Sequence, residues 1–118
     1  MATYSRQLLS GSTNGRAIPV AATATPGTAI HTAVAGTASF DELYLWASNV
    51  TGSAATLTLE WGGVTDPGDH MVKQYSIPAN SAPIPIATGQ VLQNSLNVKA
   101  FSGTASAINI TGYVNRIS

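Results

Sequence analysis

The sequence predicts an all-β protein: an antiparallel β-sandwich of jelly-roll type with about eight short strands and an extended N-terminal arm. Three observations support this fold class. Apolar and polar side chains alternate in many short runs, and turn residues separate the runs at near the spacing of sandwiches and barrels. No run has a helical period long enough for a stable helix. No segment repeats at a fixed period, which disfavours propellers and solenoids.

Residues 1–16 are predicted to form the arm. Its second half is a Ser/Gly/Thr/Asn run that cannot sustain a helix or a strand. Free termini fray unless they are anchored, and a frayed terminus is the alternative. The apolar side chains of Tyr4, Leu8 and Leu9 suit docking of the arm on the body of the protein or on a neighbouring subunit. With Arg6 and Arg16 they are the predicted interface residues of the arm.

Residues 17–118 are predicted to fold as one β-sandwich domain, because a chain of 118 residues supports a single core. Its β-type runs are bounded by Gly, Pro, Asn or Asp, and residues 40–63 contain two of them. The runs cover residues 17–23, 28–34, 40–63, 70–77, 84–92 in part, 96–101 and 105–117.

The stretch from residue 40 to residue 63 has the clearest pattern. In its first run Leu43 and Leu45 share one face, while Tyr44 and Trp46 share the other. After a Thr-Gly-Ser turn, the second run places three core-type side chains against three polar ones: Leu57, Leu59 and Trp61 against Thr56, Thr58 and Glu60. This pattern predicts a β-hairpin.

The later runs also have one core face. Ile108, Ile110 and Val114 alternate with polar residues and with Tyr113. Pro83 and Pro85 lack backbone N–H groups, so the segment around Ile84 and Ile86 is predicted to be an edge strand or a crossover.

The charge pattern disfavours nucleic-acid binding. Five basic and five acidic residues cancel, and the basic ones are scattered, whereas a phosphate backbone requires a basic stripe. Only 8% of the residues are charged, against about 25% in an ordinary soluble domain. Such a neutral surface favours self-association and cover by partners, with a neutral monomer as the alternative.

The chain has no cysteine, so no disulfide or thiol chemistry is expected. No apolar run reaches the roughly 18 residues that a membrane span needs, so no membrane partner is expected. The N-terminus lacks the pattern of a signal peptide, which predicts synthesis in the cytoplasm without classical export.

The polar residues do not form a convincing catalytic or metal site. Asp66, Asp69 and His70 are the densest group of metal-type ligands, but Pro67-Gly68 between them favours a turn that Asp66 caps. His31 and His70 are the only histidines, and a lone histidine on a strand face is more often a satisfied side chain than a base. Neither a metal nor another cofactor is expected.

Other candidate motifs also have structural interpretations. Asp41 and Glu42 point to opposite faces of a strand, which does not suit a two-carboxylate hydrolase. The patterns Asn49-Val-Thr51 and Asn109-Ile-Thr111 match glycosylation acceptors by chance. The aromatic residues suggest a sugar platform, although aromatic clusters more often serve cores and subunit interfaces, and Tyr44 and Trp46 are the interface candidates among them.

Five segments together carry a resemblance that spans nearly the whole chain: SRQLLSGSTNGR, VAATATPGTAIHTAVAG, DELYLWASNVTGSAATLTLEWGG, the Ile-Pro-Ala-Asn segment at 77–80 and INITGYVNRI. With these segments the chain resembles small β-rich virion structural proteins of tailed bacteriophages, of the capsid decoration or cement type. The resemblance implies a non-enzymatic protein, often a homotrimer, that binds the major capsid protein or other virion proteins. It implies a place on the capsid surface after synthesis in the bacterial host cytoplasm.

Two other functions remain open at this point. A neck, tail or head-fibre component of the same virion would differ in copy number and position. A carbohydrate-binding β-sandwich for host-surface adhesion would present Tyr44 or Trp46 to a sugar.

Overall fold

In the computed structural model, which describes residues 2–118, the protein consists of two antiparallel sheets. The strands are β1 (Tyr4–Leu8), β2 (Ile18–Pro19), β3 (Thr28–Thr32), β4 (Phe40–Asn49), β5 (Ala55–Trp61), β6 (His70–Ile77), β7 (Ile84–Leu92), β8 (Asn97–Ser102) and β9 (Ile108–Ile117). None of the residues described lies in a helix. The predicted all-β fold class is confirmed.

The strands divide between the sheets in an interleaved order. Sheet A has the order β1-β9-β4-β7, and β2 also pairs with β9. Sheet B has the order β3-β8-β5-β6. Every strand pair is antiparallel. The longest ladder joins β4 and β9 in the middle of sheet A, from the pair Phe40 and Ile117 to the pair Asn49 and Ile108.

The predicted hairpin of β4 and β5 is wrong. β4 pairs with β7 and β9 in sheet A, whereas β5 pairs with β6 and β8 in sheet B. The chain between them crosses from one sheet to the other. Alternation identifies the core face of each strand, but it carries no information about which strand lies beside it.

Asn49 shapes this crossover and is buried. Its side-chain amide donates to the carbonyl oxygens of Ser53 and Ile77, at 2.8 and 3.1 Å. Its side-chain oxygen accepts from the backbone N–H and the hydroxyl of Thr51, at 2.9 and 2.7 Å. These bonds account for Asn49 and Thr51 as structural residues of the turn.

The core lies between the sheets and contains the side chains whose faces the alternation predicted. Leu43 and Leu45 of β4 are fully buried, as are Leu57 and Leu59 of β5. The inward residues of β9 are buried with them: Ile108, Ile110 and Val114.

The polar face predicted for β5 is corrected by the structure. Glu60 is 0% exposed and Thr58 is 2% exposed. The Glu60 carboxylate accepts from the Thr25 hydroxyl at 2.6 Å and from the Gly27 N–H at 2.7 Å. The loop before β3 therefore covers Glu60. The carboxylate can be buried there because the loop supplies its hydrogen bonds.

The N-terminal segment contributes an edge strand. Residues 4–8 of the predicted arm form β1, which pairs with β9 from Tyr4 opposite Ile117 to Leu8 opposite Tyr113. At the other edge of sheet A lies β7, which is one of the two alternatives predicted from its prolines, an edge strand or a crossover. Across residues 2–118 there is no helix with the length and apolar character needed to cross a membrane.

Candidate functional site

One face of sheet A points away from the core, and we call it the outer face of sheet A. Its members follow from the register, since paired residues of neighbouring strands share a face. They include the following residues of β1, β9, β4 and β7: Tyr4, Arg6, Leu8, Thr111, Tyr113, Asn115, Ile117, Phe40, Glu42, Tyr44, Trp46, Pro85, Thr88 and Val91.

An aromatic stack crosses this face perpendicular to the strands. The Tyr44 and Tyr113 rings are stacked with centroids 5.0 Å apart and planes 17° apart. The guanidinium carbon of Arg6 lies 4.6 Å from the Tyr113 centroid. Because β9 lies between β1 and β4, Arg6 and Tyr44 approach Tyr113 from opposite sides. Trp46 extends the group, with its ring 6.1 Å from that of Tyr113.

Gly89 of β7 makes room for the far end of this stack. A Cβ atom there would lie 3.2 Å from Tyr44 Oη, and the residue has a φ of +101°. Both facts favour glycine, since a side chain would be strained and would push Tyr44 away. The aromatic group is therefore built from β1, β9 and β4, and β7 leaves room for it.

Large apolar side chains around the stack are open to solvent. Tyr4 is 71% exposed, Leu8 57% and Val91 51%. At one end of the face a cleft of about 400 Å³ is lined by Phe40, Val91, Leu92, Gln93 and Leu96. Aromatic and apolar residues grouped on one exposed face are typical of a surface that binds another protein.

The structure brings five of the seven predicted interface residues together on the outer face of sheet A: Tyr4, Arg6, Leu8, Tyr44 and Trp46. Leu9 instead lies in the core at 2% exposure, so its side chain is absent from the surface of the single chain. Arg16 lies in the loop between β1 and β2, beside a separate cleft. Tyr113 was missed as an interface residue, although its alternation with core residues already placed it outside.

A buried polar network joins the two sheets behind the outer face. Arg116 Nε donates to Asp41 Oδ1 at 2.8 Å, and His31 Nε2 lies 2.8 Å from Asp41 Oδ2. The Ser10 N–H donates to His31 Nδ1 at 3.0 Å. His31 Nε2 therefore carries the proton that it donates to Asp41.

This network resembles a Ser-His-Asp triad only in composition. Both His31 nitrogens are engaged, and His31 is 2% exposed. The Ser10 hydroxyl accepts from the Thr32 N–H at 2.6 Å. A serine nucleophile requires a histidine nitrogen free to take its proton, so this arrangement serves to tie the loop after β1 to β3 and β4.

Acid is expected to weaken the fold through Asp41. Burial acts to raise the pKa of Asp41, but the hydrogen bonds from Arg116 and His31 and the charge of Arg116 outweigh it and hold the pKa below its ordinary value. A carboxyl group whose pKa is lowered by folding stabilises the protein fully above the pKa of Asp in the unfolded chain, about 3.9. This stabilisation is lost as pH falls through the pKa of the same group in the folded protein. We therefore expect the free energy of unfolding to fall below about pH 4, as urea titrations from pH 7 to pH 2 can measure.

The Asp41→Asn variant is expected to lose much of that decline. The matched control is Asp66→Asn, which removes an exposed carboxylate whose pKa is lowered chiefly by a hydrogen bond from Lys73. We expect the control to keep most of the acid dependence, since Asp66 is solvent-screened. Equal acid dependence in wild type and Asp41→Asn would contradict this assignment.

The Asp66, Asp69 and His70 group closes a turn. Asp69 Oδ2 accepts from the Thr65 N–H at 3.0 Å, and Asp66 Oδ1 accepts from Lys73 Nζ at 2.7 Å. His70 Nδ1 lies 3.4 Å from Asp66 Oδ1. Within residues 2–118 no three side chains of metal-binding type converge on one point.

Comparison of this chain with protein-family models, with curated proteins and with solved structures finds no match in any of the three.

Proposed function

We propose that this protein is a non-enzymatic virion structural protein of a tailed bacteriophage, a capsid decoration or cement protein that binds and stabilises the shell as an oligomer. The observation that carries the proposal is the outer face of sheet A, with Tyr4 and Leu8 more than half exposed around an ordered aromatic stack. A decoration protein acts by covering extended surface, so it needs such a face and no reaction chemistry.

The jelly-roll architecture is part of the proposal. If β1 and β2 count as one strand position beside β9, the eight positions have the order 1-8-3-6 in sheet A and 2-7-4-5 in sheet B. This interleaved order supports a jelly roll, an architecture common in viral capsid domains. Jelly rolls host many functions, so the architecture alone does not decide this one.

The partners and the location follow from the resemblance given above. The major capsid protein, or another virion protein, is the proposed partner, and the capsid surface is the proposed location after synthesis in the host cytoplasm. The homotrimer stays a prediction. The N-terminal arm is proposed to contribute through β1, whose exposed Tyr4 and Leu8 face outward from the sheet edge.

The double variant Tyr4→Ser/Leu8→Ser is expected to reduce capsid occupancy at least about tenfold, because exposed aromatic and apolar side chains that become buried on binding supply much of the binding energy of an interface. Occupancy is measured by co-sedimentation of the purified protein with undecorated particles of the phage that encodes it. This variant is preferable to deleting residues 1–16, since the deletion also removes Leu9 from the core.

The matched control for occupancy is Val50→Ser. Val50 is 54% exposed and lies in the crossover after β4, away from the outer face. It is expected to bind like wild type. Unchanged occupancy of the double variant would remove the outer face from the proposal, and no binding of the wild type to particles would overturn the capsid role itself.

Two alternatives have different support. A neck, tail or head-fibre position would use the same surface and is distinguished by copy number in the particle. A carbohydrate-binding module has less support from the geometry. The Tyr44 and Trp46 rings are both stacked with the Tyr113 ring, and a sugar needs an open ring face to stack on.

A further inference from the structure

The outer face of sheet A is organised in rows that run across β1, β9 and β4. Each row consists of three residues placed side by side by the register. The rows are Tyr4, Ile117 and Phe40; Arg6, Asn115 and Glu42; and Leu8, Tyr113 and Tyr44.

The middle row contains two opposite charges. Among residues 2–118, Arg6 and Glu42 are the charged side chains of this face, and they lie on either side of Asn115. Neighbouring strands are about 4.8 Å apart, so the two backbone positions are separated by roughly 10 Å. Arg6 lies over the Tyr113 ring, and no ion pair joins it to Glu42 in the part of the chain that is described.

This placement makes the face complementary to itself under one symmetry. A twofold axis that runs parallel to β9 between two stacked faces exchanges the β1 side with the β4 side and keeps each row in place. Arg6 of each copy then faces Glu42 of the other copy, which gives two opposite-charge contacts. A twofold axis perpendicular to the strands would instead keep β1 facing β1 and place like charges nearest each other.

We propose that the outer face of sheet A binds a second copy of this chain about such an axis, with two Arg6 to Glu42 ion pairs between the copies. The apolar rows agree with this pairing. Tyr4 of one copy faces Phe40 of the other, and Leu8 faces Tyr44. Aromatic and arginine side chains held in place before binding are the type that contributes most at interfaces.

The size of the face predicts a weak dimer. Three strands span roughly 15 Å across, and ten residues of strand span roughly 33 Å along the sheet. Such a footprint lies at the lower end of stable interfaces, which bury about 1,000 Å² in total. We therefore expect a dissociation constant in the micromolar range.

The experiment uses the two charge reversals Arg6→Glu and Glu42→Arg, each in the full chain. Each variant alone places like charges opposite each other, so self-association is expected to weaken at least about tenfold. An equimolar mixture of the two variants restores two complementary pairs, and we expect it to associate at least as tightly as wild type. Sedimentation velocity over a concentration series measures all four samples: wild type, the two variants and their mixture.

Lys73→Glu is the matched control, because Lys73 lies on β6 of sheet B and its side chain is 48% exposed. It should leave self-association unchanged, and near-ultraviolet circular dichroism verifies that every variant is folded. A mixture that associates no better than its components would overturn the proposed pairing. A wild-type protein that stays monomeric at millimolar concentration would overturn it as well. A measured mass of three chains would also overturn the pair and would favour the homotrimer. A copy paired in this way has its outer face covered, so the pair is the form of the free protein, and the shell replaces the second copy on this face when the protein binds the particle. The measurement needs no particle, so its failure is distinct from failure of the capsid role.

Discussion

Replacement of Asp41 by alanine is expected to lower the free energy of unfolding by about 3 kcal/mol, because removal of one partner leaves buried polar groups without their acceptor. Asp41 is 0% exposed and accepts from Arg116, from His31 and from the backbone N–H of Val34. Arg116 is partly exposed, so water compensates it more readily than it compensates His31. Urea denaturation followed by tryptophan fluorescence measures the change.

The control for Asp41 is its neighbour on the same strand. Glu42 points to the opposite face, so Glu42→Ala is expected to change the free energy of unfolding by less than about 0.5 kcal/mol in dilute protein. The double variant Asp41→Ala/Arg116→Ala should cost less than the sum of its single variants, because the two side chains share one interaction. Strict additivity, or a similar cost for Glu42→Ala, would contradict the role given to the network.

The second large effect is expected at Gly112. A Cβ atom at this position of β9 would overlap the backbone carbonyl oxygen of Tyr44 and lie 3.1 Å from Leu45 Cα. The neighbouring atoms are backbone, so β4 and β9 would have to separate in the middle of sheet A. We expect Gly112→Ala to destabilise the protein by at least about 3 kcal/mol, as severe overpacking does.

Gly52→Ala is the matched substitution for Gly112. Gly52 lies in the crossover between β4 and β5, and a Cβ atom there would meet no atom within 4 Å. The midpoint of urea denaturation of the Gly52→Ala variant is expected to stay at the wild-type value. Equal midpoints for Gly52→Ala and Gly112→Ala would show that β9 adjusts without cost, against the packing described here.

The strand faces could be predicted because burial follows a period of two along a strand. Leu43, Leu45 and Val114 lie in the core and Tyr44 lies outside, as the alternation predicted. The same rule failed for Glu60, because a loop from a distant part of the chain covers it. Local alternation reports which residues share a face, and tertiary contacts decide whether the face is covered.

The candidate site could be predicted in part for the same reason. Tyr44 and Trp46 were identified from their shared face, whereas Leu9 was predicted as an interface residue because residues 4–8 were predicted as an arm and not as a strand. Leu8 faces outward from β1, so the next residue, Leu9, takes the inward side and lies in the core. The strand β1 exists because it pairs with β9, and no local pattern reports that pairing.

The sequence by itself determined the all-β class, most strand positions, their core faces and the low charge of the surface, because these depend on residue type and on spacing within single strands. Only the tertiary structure decided that β4 and β5 lie in different sheets and that Arg6, Tyr113 and Tyr44 form one stack. Those three residues belong to strands that are far apart in the sequence. Their approach depends on which strands pair and in what register, and pairing is settled by the packing of the whole core.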